Sequence, residues 1–225
     1  MTLRKGVNEE FFDTWSDVMA YVLGLFAADG TMTKNPRGSC YIDFAVTDRE
    51  LILYVRKALD AKQKLAIRPA RNERSKVNHR VQIGSRRMFD QLLHLGFTPN
   101  KSKTLVMPDM PAKYFSHFVR GYFDGDGNVY FKRHFAKDRN AYRWVFSSRF
   151  TSGSESFLRQ LYKKLHSVGL HGGRVAGKRH GFELVLSHRD SVALYRLMYH
   201  NAGRMFLKRK ERVFRRAFRK FKMRA

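Results

Sequence analysis

The feature that most constrains this chain is an internal repeat of one short motif. Residues 21–30 read YVLGLFAADG and residues 118–127 read FVRGYFDGDG, so aligned positions lie 97 residues apart. The alignment places Gly24 with Gly121 and Asp29 with Asp126. Such self-similarity indicates that one structural unit occurs twice in the chain. The sequence therefore predicts a pseudo-dimer made of two fused halves.

The segments that follow each motif also correspond. A polar, extended stretch leads to an alternating, strand-like pattern at residues 41–47 in the first copy and 142–148 in the second. A helical pattern, a hairpin and a last helical pattern follow. These segments are 51–59, 64–70 with 77–84, and 86–95 in the first half, and 156–165, 173–177 with 181–187, and 189–199 in the second. The predicted fold class is therefore α+β, with tandem αββαββα repeats.

The join between the halves is predicted at residues 107–111. This segment reads MPDMP, and its two prolines would end one unit before the next helix begins. The expected units are residues 1–106 and residues 112–225, and the second unit includes a basic tail.

Small residues recur along one side of both motif helices. Ala20, Gly24 and Ala28 are spaced four residues apart, and Gly121 and Gly125 have the same phase in the second copy. A glycine inside a helix costs roughly 1 kcal/mol relative to alanine. A stripe of small residues lets two helix backbones approach closely. The two motif helices are therefore predicted to pack on each other at the interface between the halves.

Each motif helix ends in Asp-Gly. Gly30 and Gly127 are expected in the left-handed conformation that commonly ends a helix. Asp29 and Asp126 would face the negative ends of their helix dipoles and, if the helices pack together, would also repel each other. A divalent cation would remove both penalties, because its preferred ligands are carboxylates and backbone carbonyls. The predicted metal ligands are Asp29, Asp126 and the preceding residues Ala28 and Gly125.

Composition restricts the classes of partner. The 45 Lys and Arg residues outnumber the 19 Asp and Glu residues and give a formal net charge of +26, so a polyanion is the expected partner. A single cysteine, Cys40, excludes a disulfide framework and cysteine-rich zinc modules. The chain has neither a long apolar run nor a signal-peptide pattern, so no membrane partner is expected. The expected location is intracellular, in the cytoplasm or nucleoid of a prokaryote or in an organelle matrix.

The two motifs resemble those of monomeric LAGLIDADG homing endonucleases. The resemblance covers nearly the whole chain and implies two saddle-shaped antiparallel sheets that lie in the DNA major groove. It also implies Mg²⁺ binding by the last acid of each motif, Asp29 and Asp126, with Mn²⁺ or Ca²⁺ able to occupy the site. The implied activity is Mg²⁺-dependent cleavage of both strands of a long DNA target by a monomer. An earlier acid of the motif is Asp124 in the second copy but Ala27 in the first, so Asp124 is interpreted as packing or capping.

The resemblance further implies a basic residue near each metal, after the last strand of each unit. That role falls on Lys103 and Lys210, with Lys101 and Lys208 as close competitors. The alternative is that all four lysines are DNA-facing charge. The family's polar residue at the end of the second strand is matched by Asp48, and in the second half by Ser152 or Ser154.

The sheet face away from the core is predicted to read DNA, because arginine suits guanine and asparagine or glutamine suits adenine. The predicted DNA-binding residues of the first half are Asn35, Arg37, Asp43, Arg68, Arg71, Arg80 and Gln82. Those of the second half are Asn128, Tyr130, Lys132, Arg143, Arg149, Arg174 and Lys178. For any single residue, phosphate contact is the more common role. The basic tail, residues 208–225, is expected either to contact phosphates or to pack on the second half.

Two other functions are compatible with the same scaffold. One is an RNA maturase that helps an intron fold, with intron RNA as its partner. The other is a catalytically inactive DNA-binding protein. Intact Asp29 and Asp126 favour the nuclease over the inactive protein, and they leave a maturase with both activities open.

Overall fold

A computed structural model describes residues 6–70 and 76–223 of the chain. The first half contains α1 (Asp17–Asp29), β1 (Gly30–Lys34), β2 (Cys40–Val46), α2 (Arg49–Ala58), β3 (Ala66–Arg68), β4 (Asn78–Gly84) and α3 (Arg86–His94). The second half contains α4 (Phe115–Asp126), β5 (Gly127–Ala136), β6 (Ala141–Ser152), α5 (Glu155–Ser167), β7 (Arg174–Lys178), β8 (Gly181–Leu186), α6 (His188–Tyr199) and α7 (Lys208–Phe221). The proposed join at residues 107–111 falls between α3 and α4.

Each half forms one four-stranded antiparallel sheet. The strand orders are β1-β2-β4-β3 and β5-β6-β8-β7, so the two sheets have the same topology. The predicted α+β class and the tandem repeat are confirmed. One hydrophobic cluster includes buried residues of both halves, so the motif helices lie inside a shared core.

Local sequence signals account for where several helices begin. The Ser16 hydroxyl accepts a hydrogen bond from the amide of Met19 at the start of α1. The Ser85 hydroxyl accepts one from Met88 in the same way at the start of α3. These contacts satisfy amides that have no partner inside the helix.

The long hairpin of the second half corrects the predicted alignment of the repeats. Gly30 pairs with Phe44 as Gly127 pairs with Phe150, so β2 corresponds to residues 146–152 and not to residues 142–148. The predicted alignment pairs Tyr41 with Tyr142, whereas the strand register pairs Tyr41 with Ser147, five positions later. Because β6 has 12 residues and β2 has 7, the second hairpin extends beyond the first.

The basic tail packs on the second half. Phe214 and Phe218 of α7 are buried, and their rings contact Phe146 on the core face of the second sheet. The exposed basic side chains of α7 therefore lie on the side away from that sheet. Between α3 and α4, the chain forms the short 3-10 turns Lys101–Lys103 and Ala112–Tyr114. No helix in the described part of the chain has the length and apolar character needed to cross a membrane.

Candidate active site and nucleic-acid interface

The two motif helices touch at their glycines. A Cβ atom on Gly24 would lie 2.1 Å from the backbone oxygen of Phe118, and one on Gly121 would lie 2.0 Å from that of Tyr21. Neither position has room for a side chain, so the predicted contact between these glycines and the opposite helix is confirmed. Further along, a Cβ atom on Gly125 would lie 2.7 Å from a carboxylate oxygen of Asp29. The contact therefore brings the C-terminal ends of both helices together.

Asp29 and Asp126 are the last residues of α1 and α4, and both are half-buried. Burial raises the pKa of Asp29 to about 7, and the neighbouring Asp126 carboxylate adds to the rise. Burial also raises the pKa of Asp126. Lys210 and Lys101 oppose both shifts, and in the described residues no hydrogen bond contributes to either pKa shift. The two carboxylates are thus poised to receive a positively charged ligand.

The glycines after these aspartates do not have the conformation that was predicted. Gly30 has φ −84° and ψ 151°, and Gly127 has φ −84° and ψ 156°, so both are extended and the left-handed prediction is wrong. Close packing accounts for them instead. A Cβ atom would lie 2.1 Å from the ring of Phe26 at Gly30 and 2.3 Å from the ring of Phe123 at Gly127. Glycine therefore lets each strand leave the helix directly above a buried ring.

Two buried lysines lie at equivalent places beside the helix ends. The Lys101 ammonium donates a hydrogen bond to the backbone oxygen of Ala27 at 2.9 Å. The Lys210 ammonium donates to the backbone oxygens of Phe123, Asp124 and Gly125 at 2.6, 2.8 and 3.1 Å. Burial lowers the pKa of each lysine to about 8, because a low-dielectric site disfavours the charged form.

The structural counterpart of Lys210 is Lys101, and Lys103 does not match it. Lys103 is exposed at the end of its 3-10 turn, whereas Lys101 is 6% exposed and Lys210 is 4% exposed. Lys208 is also exposed, and its ammonium lies 3.8 Å from a carboxylate oxygen of Glu50. Each half offers two lysines two residues apart, and burial matches Lys101 with Lys210, whereas the sequence prediction pairs Lys103 with Lys210.

Asp124 lies in the interior, apart from the partly exposed carboxylates of Asp29 and Asp126. One of its oxygens accepts hydrogen bonds from the Tyr21 hydroxyl at 2.8 Å and from the Leu207 amide at 2.9 Å. Asp124 thus ties α1, α4 and the start of α7 together, while Ala27 occupies the matching position of the first half.

A buried arginine lies near Asp124. The guanidinium of Arg120 donates to the backbone oxygens of Met205 and Met198, each at 2.8 Å, and lies over the Tyr21 ring. These contacts add a second polar connection between α4 and the segment that leads from α6 to α7.

Sequence reasoning missed Arg209, which precedes Lys210. Its Nε and Nη2 atoms each donate to one oxygen of Asp48 at 2.7 Å, in a two-bond ion pair between the halves. These bonds hold the pKa of Asp48 below its usual value. Ser154, one of the two serines proposed to match Asp48, caps α5. A long-range pair of this kind leaves no signal in sequence spacing.

Three predicted DNA-binding residues of the first half bond to one another. Arg80 Nε donates to one oxygen of Asp43 at 2.6 Å, and Gln82 Nε2 donates to the other at 3.2 Å. Asp43 is only 3% exposed, so its carboxylate orients the two donors and does not itself face solvent. Arg80 and Gln82 lie on the free face of the sheet, opposite the core residue Val81.

The other first-half candidates lie nearer the sheet edges. The Asn35 side chain accepts a hydrogen bond from the Ser39 amide at 2.8 Å, so it stabilises the β1–β2 turn. Arg37 is exposed in that turn, and Arg68 is exposed on β3. Arg71 lies outside the described residues.

The second-half candidates all lie on the free face of their sheet. The strands place them between core residues such as Phe131 and Phe150. Tyr130 is half-buried and stacks on His134, and Arg149 lies 3.5 Å from a carboxylate oxygen of Glu183. The exposed members are Asn128, Lys132, Arg143, Arg149, Arg174 and Lys178. Lys178 also lowers the pKa of Asp126, which places its charge near the carboxylate pair.

Comparison with known families identifies this arrangement. A model of the LAGLIDADG-like domain matches residues 16–95 and residues 115–198, one match in each half and together most of the chain. The chain belongs to the LAGLIDADG family. The family motif coincides with α1 and α4, whose ends carry the carboxylate pair. Among curated proteins, none matches the chain in sequence.

Solved LAGLIDADG structures share the fold. The homing endonuclease I-WcaI bound to its DNA recognition sequence has a TM-score of 0.61 at 13% identity, over 91% of this chain and 90% of that chain. I-DmoI in complex with DNA and Mn has a TM-score of 0.55 at 15% identity, over 81% and 96%. The N-terminal LAGLIDADG domain of DUF199/WhiA has a TM-score of 0.56 at 15% identity, over 94% and 96%. At these identities the likeness shows the fold alone.

The carboxylates of Asp29 and Asp126 fit a divalent cation whose other ligands come from water and a substrate. Among the described residues, no group of three or more His, Cys, Asp or Glu side chains could hold a metal ion. A cation between Asp29 and Asp126 would therefore complete its shell with water and substrate oxygens, as hard cations do readily. Of the two carbonyl ligands predicted, that of Gly125 accepts a hydrogen bond from Lys210. Ala28 lies directly against Gly125, so both residues belong to the same helix contact.

Proposed function

We propose that this chain is a divalent-metal-dependent endonuclease that binds a long DNA target and cuts both strands as a monomer. One observation carries the proposal. The half-buried carboxylates of Asp29 and Asp126 lie at the ends of the two packed motif helices, near enough for the charge of Asp126 to raise the pKa of Asp29, and the free faces of both sheets carry arginine and lysine. Such a carboxylate pair is unfavourable for stability unless a cation compensates its charge.

The proposed roles follow from these positions. Asp29 and Asp126 would hold Mg²⁺, which when bound supplies an activated water and neutralises the leaving oxygen. Lys101 and Lys210 keep positive charge beside the carboxylates, where charge develops on a phosphate during cleavage. Arg80 and Gln82 would contact base edges in the groove, held in place by Asp43.

The decisive experiment compares the wild type with Asp29→Asn and Asp126→Asn. A target is first selected from a randomised duplex library by binding to the wild-type chain, and is then cloned into a supercoiled plasmid. We expect the wild type to linearise this plasmid in Mg²⁺ and to stop in EDTA. Each Asn variant should lose double-strand cleavage, because one metal ligand is gone, while the DNA-binding faces are unchanged.

Binding of the same duplex provides the control. If about 10 phosphates are neutralised, affinity should fall by roughly 10³–10⁵ between 50 and 200 mM salt for the wild type and both variants. Near-normal cleavage by either variant would show that the substituted carboxylate is not needed for cleavage. Binding without any cleavage by the wild type would favour the inactive DNA-binding protein. Structured intron RNA that displaces the duplex, or binds beside it, would support the maturase alternative.

A further inference from the structure

The start of α7 is attached to the first half of the molecule. Asp48 precedes α2, but its side chain makes no capping hydrogen bond to that helix. Both of its oxygens instead accept hydrogen bonds from Arg209 at 2.7 Å. Lys208, one residue earlier, lies 3.8 Å from Glu50 in the first turn of α2. Two successive residues of α7 therefore meet two acids at the start of α2.

The second half makes the corresponding contact with the first half, and it uses different chemical groups. Ser154 occupies the position of Asp48, because both precede the helix that follows the second strand. The Ser154 hydroxyl accepts from the Phe157 amide at 3.2 Å and donates to the backbone oxygen of Leu105 at 2.7 Å. A Cβ atom on Gly153 would lie 2.4 Å from the backbone oxygen of Ser102. Each half thus holds the segment that carries the buried lysine of the other half.

The two contacts between the halves differ in the interactions that form them. On the Lys101 side, the contact uses a neutral hydroxyl and close backbone packing. On the Lys210 side, it uses a charged pair whose arginine side chain is 52% exposed and whose aspartate side chain is 22% exposed. Exposed ion pairs contribute little to folding stability. An ion pair at this place is therefore better suited to setting local geometry and charge than to holding the fold together.

The charge of Asp48 matters to the carboxylate pair. Asp48 adds to the raised pKa of Asp29 but does not contribute to that of Asp126, so it lies on the Asp29 side of the site. Without Arg209, Asp48 would be a third, unneutralised carboxylate where a DNA phosphate must enter. Arg209 also adjoins Lys210 in sequence, so the pair fixes the backbone from which the lysine reaches its carbonyls.

We propose that Arg209 is a positioning residue: paired with Asp48, it sets the charge and the geometry of one of two unequal cleavage centres. This proposal rests on the proposed endonuclease function. Under this proposal, cleavage of one DNA strand depends on the Asp48–Arg209 pair. Cleavage of the other strand does not. Loss of the pair should therefore leave DNA nicked in one particular strand.

The test measures the two strands separately. The target is the selected site on a supercoiled plasmid, and each strand of a linear copy carries its own fluorescent label. Arg209→Ala should slow cleavage of one strand by about 10-fold to 100-fold, because small misplacements in a catalytic centre have effects of this size. Nicked plasmid should accumulate, while the melting temperature should change by less than about 4 °C.

Three further variants separate positioning from general damage. Asp48→Ala combined with Arg209→Ala should cut faster than Arg209→Ala alone, because the unpaired carboxylate is gone. Exchanging the charges, with Asp48→Arg and Arg209→Asp, should restore much of the even cutting of both strands. The matched control is Arg215→Ala, which removes an arginine of the same helix that pairs with Glu211 and should cut both strands at the wild-type rate.

The outcomes are distinct. Equal slowing of both strands by Arg209→Ala, or wild-type kinetics, would overturn the proposal, as would a double variant no better than Arg209→Ala. Absence of cleavage by the wild type would instead overturn the proposed function. In that case the coupling of the pair in a double-mutant melting cycle would still report whether the ion pair exists in solution.

Discussion

The two halves place the same lysine and aspartate in different surroundings. In the first half, Lys101 bonds one carbonyl, that of Ala27, and lies over the ring of Phe26. In the second half, Lys210 bonds three carbonyls and has the carboxylate of Asp124 beside it. Where Asp124 contributes a buried charge, the first half has the methyl group of Ala27.

The second half also buries a second charged side chain. Its motif helix contains the buried guanidinium of Arg120, whereas the matching position of α1 is the apolar Leu23. Buried charges are tolerated only when they are bonded, and Arg120 bonds two carbonyls and the ring of His117. The repeat thus preserves the placement of one buried lysine and one aspartate in each half, while each half supports them by different contacts. The two centres are therefore expected to respond differently to the same substitution.

The buried lysines should give the strongest response. Lys101→Ala and Lys210→Ala should each reduce cleavage by roughly 10²–10⁴, the range for a positioned catalytic group. Lys210→Ala should also lower the melting temperature more, because it leaves three backbone carbonyls without their donor and the buried Asp124 carboxylate without a neighbouring cation. Plasmid cleavage and thermal melts of both variants measure the two effects.

Lys103→Ala is the matched control for the lysine comparison. Lys103 is exposed and lies two residues from Lys101, so its loss should reduce DNA affinity slightly and leave the cleavage rate of bound DNA unchanged. A strong loss of cleavage in Lys103→Ala with normal cleavage in Lys101→Ala would reverse the assignment. That result would restore the pairing of Lys103 with Lys210 that sequence alignment favours.

Much of this fold can be predicted from the sequence because its signals are local and periodic. The motif repeat, the strand alternation and the helix patterns predict the topology of both sheets. The in-register glycines also predict the helix contact, because a glycine inside a helix is unfavourable unless a close approach requires it. The carboxylate pair then follows from the helix ends.

The errors occur where a choice depends on register or on a distant contact. The second hairpin is longer than the first, so the true match of β2 lies five positions later in the chain than the predicted alignment with residues 142–148 places it. The choice between Lys101 and Lys103 depends on burial, which the sequence does not show, because the two lysines are two residues apart and alike in type. Arg209 and Asp48 are 161 residues apart, and no spacing rule connects them.

The conformation of Gly30 was also mispredicted from local preferences. A glycine after a helix commonly adopts the left-handed conformation, and the sequence offers no local reason to expect otherwise. The extended backbone of Gly30 depends instead on its close approach to the ring of Phe26, which turn preferences do not include.

Substitutions at the contact between the two motif helices should give the second-largest effect. They test a feature that the two halves share. A Cβ atom at Gly24 or Gly121 would meet backbone of the opposite helix at about the same distance, so Gly24→Ala and Gly121→Ala should destabilise equally. Forced overpacking typically costs about 1–3 kcal/mol, or roughly 2–12 °C in melting temperature for a chain of this size. Gly121→Leu should lose cleavage before it loses the fold, because the carboxylates are displaced.

Gly177→Ala is the control for the glycine series. A Cβ atom at Gly177 would have nothing within 4 Å and no left-handed backbone to strain. Its melting temperature should therefore equal that of the wild type. Full cleavage activity in Gly121→Leu would contradict the close helix contact.

The weakest response should be the pH dependence that Asp124 adds to the second half. Burial raises the pKa of Asp124 to about 6, above its ordinary value of 3.8. Between about pH 4 and 6 the folded protein therefore keeps a proton that the unfolded chain has released, so stability falls as pH rises through this window. Asp124→Asn should flatten the curve there by on the order of 1 kcal/mol. Ala27 has no proton to lose, so the first half adds nothing at the matching position.

Urea unfolding of the metal-free protein at pH 4, 5, 6 and 7 measures this dependence. Asp29→Asn is the comparison, because burial raises the pKa of Asp29 to about 7 and its contribution extends to the last of these pH values. The difference between wild type and Asp124→Asn should change up to about pH 6 and then become constant. Parallel curves for wild type and Asp124→Asn would mean that Asp124 is ionised throughout. The two donors Tyr21 and Leu207, together with the charge of the neighbouring Lys210, would then outweigh the burial of the Asp124 carboxylate.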